Sequence, residues 1–373
     1  MRAPSLRNIA EAHLEVARTC NLSCPYCYEA RDNDTPPLMP LLTALDYVEL
    51  VIESSGCSII DLTFHGGEPM LQSATWIASV AEHATRTAAL AGKSVRFTMQ
   101  SNCTLLDDSM FRVLQQFRIR VGTSLDGDPA ANRDTRGPAD PVVDSIARLR
   151  SEGLFGGAIC VMHTGNALTM RAALDYFDCI GVENVLVSLC RCVGRGATVR
   201  PMDSQTILAG YLGILDYLSD TNGARVVESM LADKLKRFLR PPTSGAYRRE
   251  LVCTHPICGG GLTTLYCDTS GRLYPCGLAV SRDDLILGEI LDFDGDRHRL
   301  VVESMYSERL GQERCDRCPA STICSFGCTA LDRCDPQTAK AECEATLALF
   351  SILKEMDPEM IGSIVANQSV SHQ

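Results

Sequence analysis

Hydrophobic and polar positions along the first half of the chain alternate between two periods. Runs at 12–17, 58–64, 94–99, 119–124, 158–162 and 184–189 are continuously apolar or repeat every second residue, as strands do. Between them, 41–54, 74–91, 107–116, 142–152 and 168–179 place apolar residues three and four apart, the spacing of amphipathic helices. Strict alternation of strand and helix predicts a parallel sheet, because parallel neighbours need a crossover. Right-handed crossovers put every loop that follows a strand on one face, so an α/β partial barrel of six strands is expected.

The pattern changes after about residue 200. Two long helices are expected at 204–218 and 224–239, and Pro241-Pro242 break the second. From Cys253 to Cys343 the chain is rich in Cys, Gly and Asp, with short strand signals at 263–267 and 272–274. A last helix at about 341–354 precedes a polar tail. The expected organisation is a barrel over 1–220, a helical connection over 221–250, a cysteine-rich domain over 251–345, and a terminal helix and tail over 346–373. The cysteine-rich part is expected to be held more by metal than by an apolar core.

The 373 residues are 45% hydrophobic and 22% charged, which describes a globular chain with ample core. A net charge of −11 weighs against binding nucleic acid through phosphate contacts. No run of about 18 apolar residues and no secretory h-region is visible, so neither a membrane span nor export is expected, and the location is read as cytoplasmic. That reading changes what the 19 cysteines mean. The cytosol keeps thiols reduced, and an odd total cannot pair completely. Metal or iron–sulfur ligation is therefore the leading explanation, and spacing must decide it.

Directly after the first strand comes Cys20-Asn-Leu-Ser-Cys24-Pro-Tyr-Cys27-Tyr. Three thiolates at C-x3-C-x2-C spacing can wrap one face of a [4Fe–4S] cluster and leave one iron open. Taken alone, the segment also suits a thioredoxin-like CxxC or half of a zinc site. With an aromatic before the last cysteine, at the end of the first strand of a βα series, it resembles the radical S-adenosylmethionine (SAM) superfamily. The resemblance implies that Cys20, Cys24 and Cys27 ligate three irons. The amino and carboxylate groups of S-adenosylmethionine would chelate the fourth, with Tyr26 against the adenine. One electron would then release a 5′-deoxyadenosyl radical, which abstracts a hydrogen atom from carbon.

The later strand ends extend the resemblance. Gly66-Gly67-Glu68-Pro69 looks like the glycine-rich motif for the methionyl amino group. Its glycines are expected to let backbone approach the ligand, and its carboxylate to accept from the amine. Gln100-Ser101-Asn102-Cys103 resembles a T-N-G turn with Cys103 in the glycine's place. Ser124-Leu125-Asp126-Gly127 and Arg136 resemble the S-x-D-G segment and arginine that line the ribose and carboxylate of the cofactor. Asp126 reads equally as a turn former. Asn132-Arg133 stands where the family often has His-Asp. Asn166 is a weaker carry-over, and loop capping describes it at least as well.

Cys253-x4-Cys258-x12-Gly271-x4-Cys276 is followed by C-x2-C-x5-C-x3-C at Cys315, Cys318, Cys324 and Cys328, and then by Cys343. Eight cysteines suffice for two four-iron clusters, and alone they also suit zinc. Behind the first motif they resemble the SPASM extension. By that resemblance Cys253, Cys258, Cys276 and Cys328 hold an inner auxiliary cluster, and Cys315, Cys318, Cys324 and Cys343 an outer one. Cys267 and Cys334 are near-misses that could substitute. Most other cysteines read as small buried hydrophobes, with Cys190 or Cys192 the functional exception to look for.

Together the motifs imply S-adenosylmethionine, three [4Fe–4S] clusters and a flavodoxin- or ferredoxin-type electron donor. The expected reaction is oxidation of a ribosomally made precursor peptide, by crosslinking or other side-chain change. Some 11 residues precede the first strand, so a leader is expected to bind the catalytic body or a separate leader-binding protein. Sulfatase-maturing relatives place an Asp immediately after the cysteine of G-x4-C, where this chain has Gly277. That departure weakens a formylglycine-forming reading. Dehydrogenation or epimerisation of a small molecule such as an aminoglycoside-type intermediate is the second enzymatic reading. A non-catalytic iron–sulfur electron carrier and a structural zinc protein are the alternatives from other classes. For the base that oxidation requires, His65, His163, Asp268 and Tyr274 are candidates.

Overall fold

The computed structural model describes residues 6–29, 36–220, 223, 225–241, 258–310, 315, 317–324 and 327–368. Strands and helices alternate through the first half. They run β1 (Glu11–Ala17), α1 (Leu41–Ser54), β2 (Ile59–Gly66), α2 (Ala74–Leu90), β3 (Ser94–Ser101), α3 (Asp108–Gln116) and β4 (Arg120–Ser124). A short α4 (Pro129–Arg133), α5 (Asp140–Ser151), β5 (Phe155–Met162), α6 (Met170–Cys179) and β6 (Asn184–Leu189) follow. β1 to β6 pair in parallel in chain order, which makes the partial-barrel series. Along β2, β3 and β6 buried residues alternate with partly exposed ones, and the buried face packs against the helices. Leu14, Phe64, Leu114 and Val121 lie in one apolar cluster, and Cys160, Met162, Phe177 and Tyr217 in a second.

Side-chain caps set several helix starts. Ser73 accepts from Trp76 N (3.1 Å) and Asp107 from Met110 N (2.7 Å), each satisfying an orphan donor of the first turn. Asp203 does the same for α7 (Ser204–Ser219) through Thr206 N at 2.8 Å. The expected helix at 224–239 begins later, as α8 (Ser229–Leu239), because Val227–Glu228 pair with β6 as a two-residue β7.

The cysteine-rich third departs from expectation. β8 (Thr264–Cys267) pairs in parallel with β1, on the side away from β2. β9 (Arg272–Tyr274) and β10 (Gly288–Glu289) extend it antiparallel, so one ten-stranded sheet runs β10-β9-β8-β1-β2-β3-β4-β5-β6-β7. Leu265, Cys267, Leu273, Leu287 and Val302 belong to the main core, and Tyr47 donates to the Leu265 carbonyl at 2.7 Å. The described start of this third is therefore built on apolar burial and sheet pairing, not on metal alone. β8 is buried at every residue, so it lacks the alternation that marks a half-exposed strand.

Beyond it lie α9 (Gly295–Leu310), α10 (Ser321–Cys324), α11 (Thr329–Cys334), α12 (Pro336–Glu355) and α13 (Pro358–Asn367). The expected polar tail thus contains a helix, capped by Asp357 and burying Ile361 and Ile364. After it, Gln368 accepts from Glu228 N (3.0 Å) and donates to the Val226 carbonyl (3.2 Å), sealing the β7 edge. Among the described residues no helix is long and apolar enough to cross a membrane.

Candidate active site

The parallel order carries the motif segments to one rim. The Cys20–Cys27 loop follows β1, Gly66–Pro69 ends β2, Ser101–Cys103 ends β3, Ser124–Gly127 ends β4, His163 follows β5 and Cys190 follows β6. The Cys20 sulfur accepts from Leu22 N at 3.4 Å and from Asn102 Nδ2 at 3.6 Å. Burial pushes the Cys20 and Cys24 thiols up; Cys27 adds to the field at both, and Cys20 to that at Cys24. Three sulfurs that share one loop, with N–H donors directed at that of Cys20, fit the open face of a [4Fe–4S] cluster. Among the described residues no three His, Cys, Asp or Glu gather round a single ion.

The glycines serve the loop itself. Gly66 has φ +112, and a Cβ there would lie 2.3 Å from the Ala17 carbonyl oxygen. At Gly67 it would lie 2.4 Å from the Thr19 oxygen. Both glycines bring the β2 end close to the chain leading into Cys20, where Gly67 N and Glu68 N donate to Ala17 and Thr19. Pro69 opens a short 3-10 turn.

Glu68 is fully buried and accepts from Met70 N (2.9 Å), Ser101 Oγ (2.7 Å) and Asn102 N (2.8 Å). Burial raises its pKa against these hydrogen bonds. Its carboxylate therefore clamps the β2 end to the β3 end. Cys103 takes the left-handed conformation (φ 58) that a glycine would adopt more cheaply. The T-N-G-like turn is kept despite the substitution.

Asp126 is a buried hub. It receives Val161 N (3.0 Å), Thr135 Oγ1 (2.8 Å) and the Tyr26 hydroxyl, and it pairs with Arg136 Nε at 3.1 Å. The Arg136 guanidinium stands 5.3 Å from the Tyr26 ring centre, and the His163 ring stacks on Tyr26 at 5.5 Å. Tyr26 is held by this network, and burial pushes its phenol up. Asn132 accepts from Asp126 N, so the residue standing in for the family's histidine supports the same hub. Ser124 accepts from Gln100 Nε2 at 3.0 Å. Asn166 caps its loop, accepting from His163 N and donating to the Val161 carbonyl.

The later cysteines divide. Gly260 N donates to Cys258 Sγ (3.4 Å), and a Cβ on Gly260 would touch Pro275, which puts Cys258 beside Cys276. Cys276 bears on Tyr28, Cys328 on half-buried Arg191 and Cys324 on Tyr211, so the second region approaches both the first loop and the β6 end. Cys315 and Cys318 share a turn through Cys318 N (3.1 Å), and Cys343 is exposed on α12. Cys334 approaches the Leu278 carbonyl. Cys253 lies outside the described residues.

Two features escape sequence reasoning. Arg195 donates from Nη1 to the Cys24 carbonyl (3.1 Å) and from its backbone to the Cys27 carbonyl (3.0 Å), and only folding brings it there. Glu29 is buried, with its carboxylate 3.5 Å from His65 Nδ1. The residue lies two past Cys27, and an acid so close to a cysteine motif is the available signal. Of the suggested bases, Asp268 accepts from Ser270 and Arg272 N and so closes a turn, while Tyr274 is buried beside Arg272.

Residues 14–176 match the family model of the radical SAM superfamily. The chain carries a radical SAM domain. A serine-type anaerobic sulfatase-maturating enzyme of Klebsiella pneumoniae is 22% identical over 345 residues, covering 84% of this chain and 80% of that one. Among solved structures, native anSMEcpe with bound AdoMet has a TM-score of 0.74 at 18% identity, covering 95% of this chain and 99% of its own. SuiB of Streptococcus suis, bound to its precursor peptide SuiA, has a TM-score of 0.65 at 14% identity, covering 89% and 74%. The radical SAM domain thus accounts for residues 14–176, and the likeness of fold to these structures continues through the cysteine-rich third.

Proposed function

We propose that this enzyme oxidatively modifies a side chain of a ribosomally synthesised peptide, by crosslinking or desaturation. The observation that carries the reading is the extent of the likeness. It includes the cysteine-rich third, and it extends to an enzyme that matures sulfatases and to one crystallised with its precursor peptide. In this reading Cys20, Cys24 and Cys27 hold a [4Fe–4S] cluster. Tyr26, Gly66, Gly67, Glu68, Pro69, Asn102, Ser124, Asp126 and Arg136 frame S-adenosylmethionine. When bound, that pair supplies a hydrogen-atom abstractor.

The chain's own residues position and shield. Asn102 and the Leu22 N–H direct donors at the Cys20 sulfur. Glu68 fixes Asn102 by holding its backbone, with about one acceptor direction of the carboxylate left over for an amine. The Asp126–Arg136 pair fixes the face of Tyr26, and the buried rim keeps water from a reactive centre. Two auxiliary clusters, on the eight later cysteines, would serve as electron acceptors. A flavodoxin- or ferredoxin-type protein would supply the initiating electron.

A second reading, formylglycine formation on a sulfatase, draws on the sulfatase-maturating relatives, and the absent side chain at Gly277 weighs against it. The deciding experiment is anaerobic incubation of reconstituted enzyme with S-adenosylmethionine, reductant and the small peptide encoded beside it. A peptide lighter by about 2 Da is expected, as loss of two hydrogens requires. Unchanged mass and stereochemistry while S-adenosylmethionine is consumed would contradict it.

A further inference from the structure

Gln100 and Gly122 stand directly opposite each other on β3 and β4, and Ser124 is the next residue of β4 on the same face. All three are half-buried, on the face opposite buried Met99, Val121 and Thr123. A Cβ on Gly122 would lie 2.5 Å from Gln100 Oε1, so the carboxamide lies across β4 where a larger residue would hold it off. Gly122 is not in the left-handed region, so what its missing side chain supplies is room. From this seat Gln100 Nε2 donates to Ser124 Oγ at 3.0 Å. A hydroxyl has two acceptor directions and one proton. With the Gln100 N–H in one acceptor direction, the Ser124 proton points elsewhere, and among the described residues nothing takes it. Both strands lead directly into the site. Two residues past Gln100, Asn102 directs its amide at the Cys20 sulfur (3.6 Å), and two past Ser124, Asp126 accepts from the Tyr26 hydroxyl. The unspent donor therefore stands between the two strand ends that hold the cysteine loop.

We propose that Gln100, seated on Gly122, is a positioning residue for S-adenosylmethionine: its N–H fixes the Ser124 oxygen as an acceptor and so presents the Ser124 proton to the cofactor. This role rests on the reading above, in which Ser124 frames the cofactor, and adds how its hydroxyl is aimed. A serine hydroxyl without such a partner rotates freely and donates along the sheet as readily as outward. Gln100 removes that freedom before the cofactor arrives, so less ordering is left for the binding step. The glycine opposite is part of the device, because only a bare backbone lets the carboxamide reach Ser124 from the neighbouring strand.

The test measures S-adenosylmethionine affinity by equilibrium dialysis on anaerobically reconstituted enzyme, with iron content and thermal midpoint beside it. Wild type is compared with Gln100→Glu, Gln100→Leu, Gly122→Ala, Ser124→Ala, and Gln100→Leu combined with Ser124→Ala. No peptide is needed, so the outcome is independent of the peptide reading. Gln100→Glu keeps the shape of the side chain but presents a carboxylate that only accepts, which draws the Ser124 proton back to the sheet. It should weaken binding by about tenfold, the size of one hydrogen bond, with iron content unchanged. Gly122→Ala should do the same without altering Gln100, because the atom it displaces is the end of a flexible side chain. The double variant should bind no more weakly than Ser124→Ala alone, since Gln100 acts only through that hydroxyl. Wild-type affinity in Gln100→Glu would overturn the proposal. So would losses that multiply in the double variant, as a merely structural contribution would make them, or a loss that follows iron content or thermal midpoint. If Ser124→Ala binds as tightly as wild type, the placement of Ser124 at the cofactor fails, and the proposal with it.

Discussion

At the scale of single residues, the rim depends on close approaches that sequence motifs encode only indirectly. Gly67 illustrates this: the motif signals backbone proximity, and the structure identifies the neighbour as Thr19. Gly67→Ala should push the Cys20 loop away. A loss of roughly 2–4 kcal/mol in thermal unfolding is expected, together with lower iron at the first cluster, measured by iron-to-protein ratio. His13 is a second case. Burial, and then the neighbouring His65, lower its pKa to about 3. The unfolded chain, titrating near 6.5, binds a proton that the folded chain does not, so stability falls as pH drops from about 6.5 toward about 3. Between pH 7.5 and 6.0 this amounts to about 1 kcal/mol. Chemical denaturation at both pH values should show that loss in wild type and a smaller one in His13→Gln. Glu68 and Asp126 are legible as residue types at strand ends. Their saturation by Ser101, Asn102, Val161 and Thr135 is not, because those partners come from other parts of the chain.

At the scale of elements, the periodic half of the chain is readable and the buried half less so. α1 falls on 41–54 as its spacing indicates, and β6 on 184–189. β7 escapes because two residues carry no period, and α8 starts after it for that reason. The helix expected at 341–354 begins at Pro336, where Asp335 accepts from Thr338 N. α13 reads as tail because it is only ten residues long and follows a helix end at Met356. Its function is to bring Gln368 to the β7 edge. Gln368→Ala leaves Glu228 N and the Val226 carbonyl without that partner in a buried place. A destabilisation of roughly 1–3 kcal/mol is expected from the urea midpoint, at unchanged slope.

At the scale of the whole molecule, the motifs mark a cysteine-rich region but not where its apolar face goes. Leu265, Cys267 and Leu273 pass into the core shared with Leu14 and Phe64, so the start of that region is one sheet with the barrel. Removing iron should therefore affect the last third unevenly. In hydrogen exchange after anaerobic chelation, β8 amides such as Leu265 should stay protected with β1, whereas amides near Cys318 and Cys324 should exchange faster. Uniform loss of protection across 258–334 would instead mean that metal holds the whole region.

In the proposed reaction the hydrogen atom is abstracted from a peptide carbon. The most direct measurement supplies the precursor peptide with deuterated side chains and follows the mass of the 5′-deoxyadenosine released during anaerobic turnover. One deuterium should pass into 5′-deoxyadenosine, in step with the appearance of oxidised peptide. Unlabelled 5′-deoxyadenosine, with the peptide recovered intact, would contradict it.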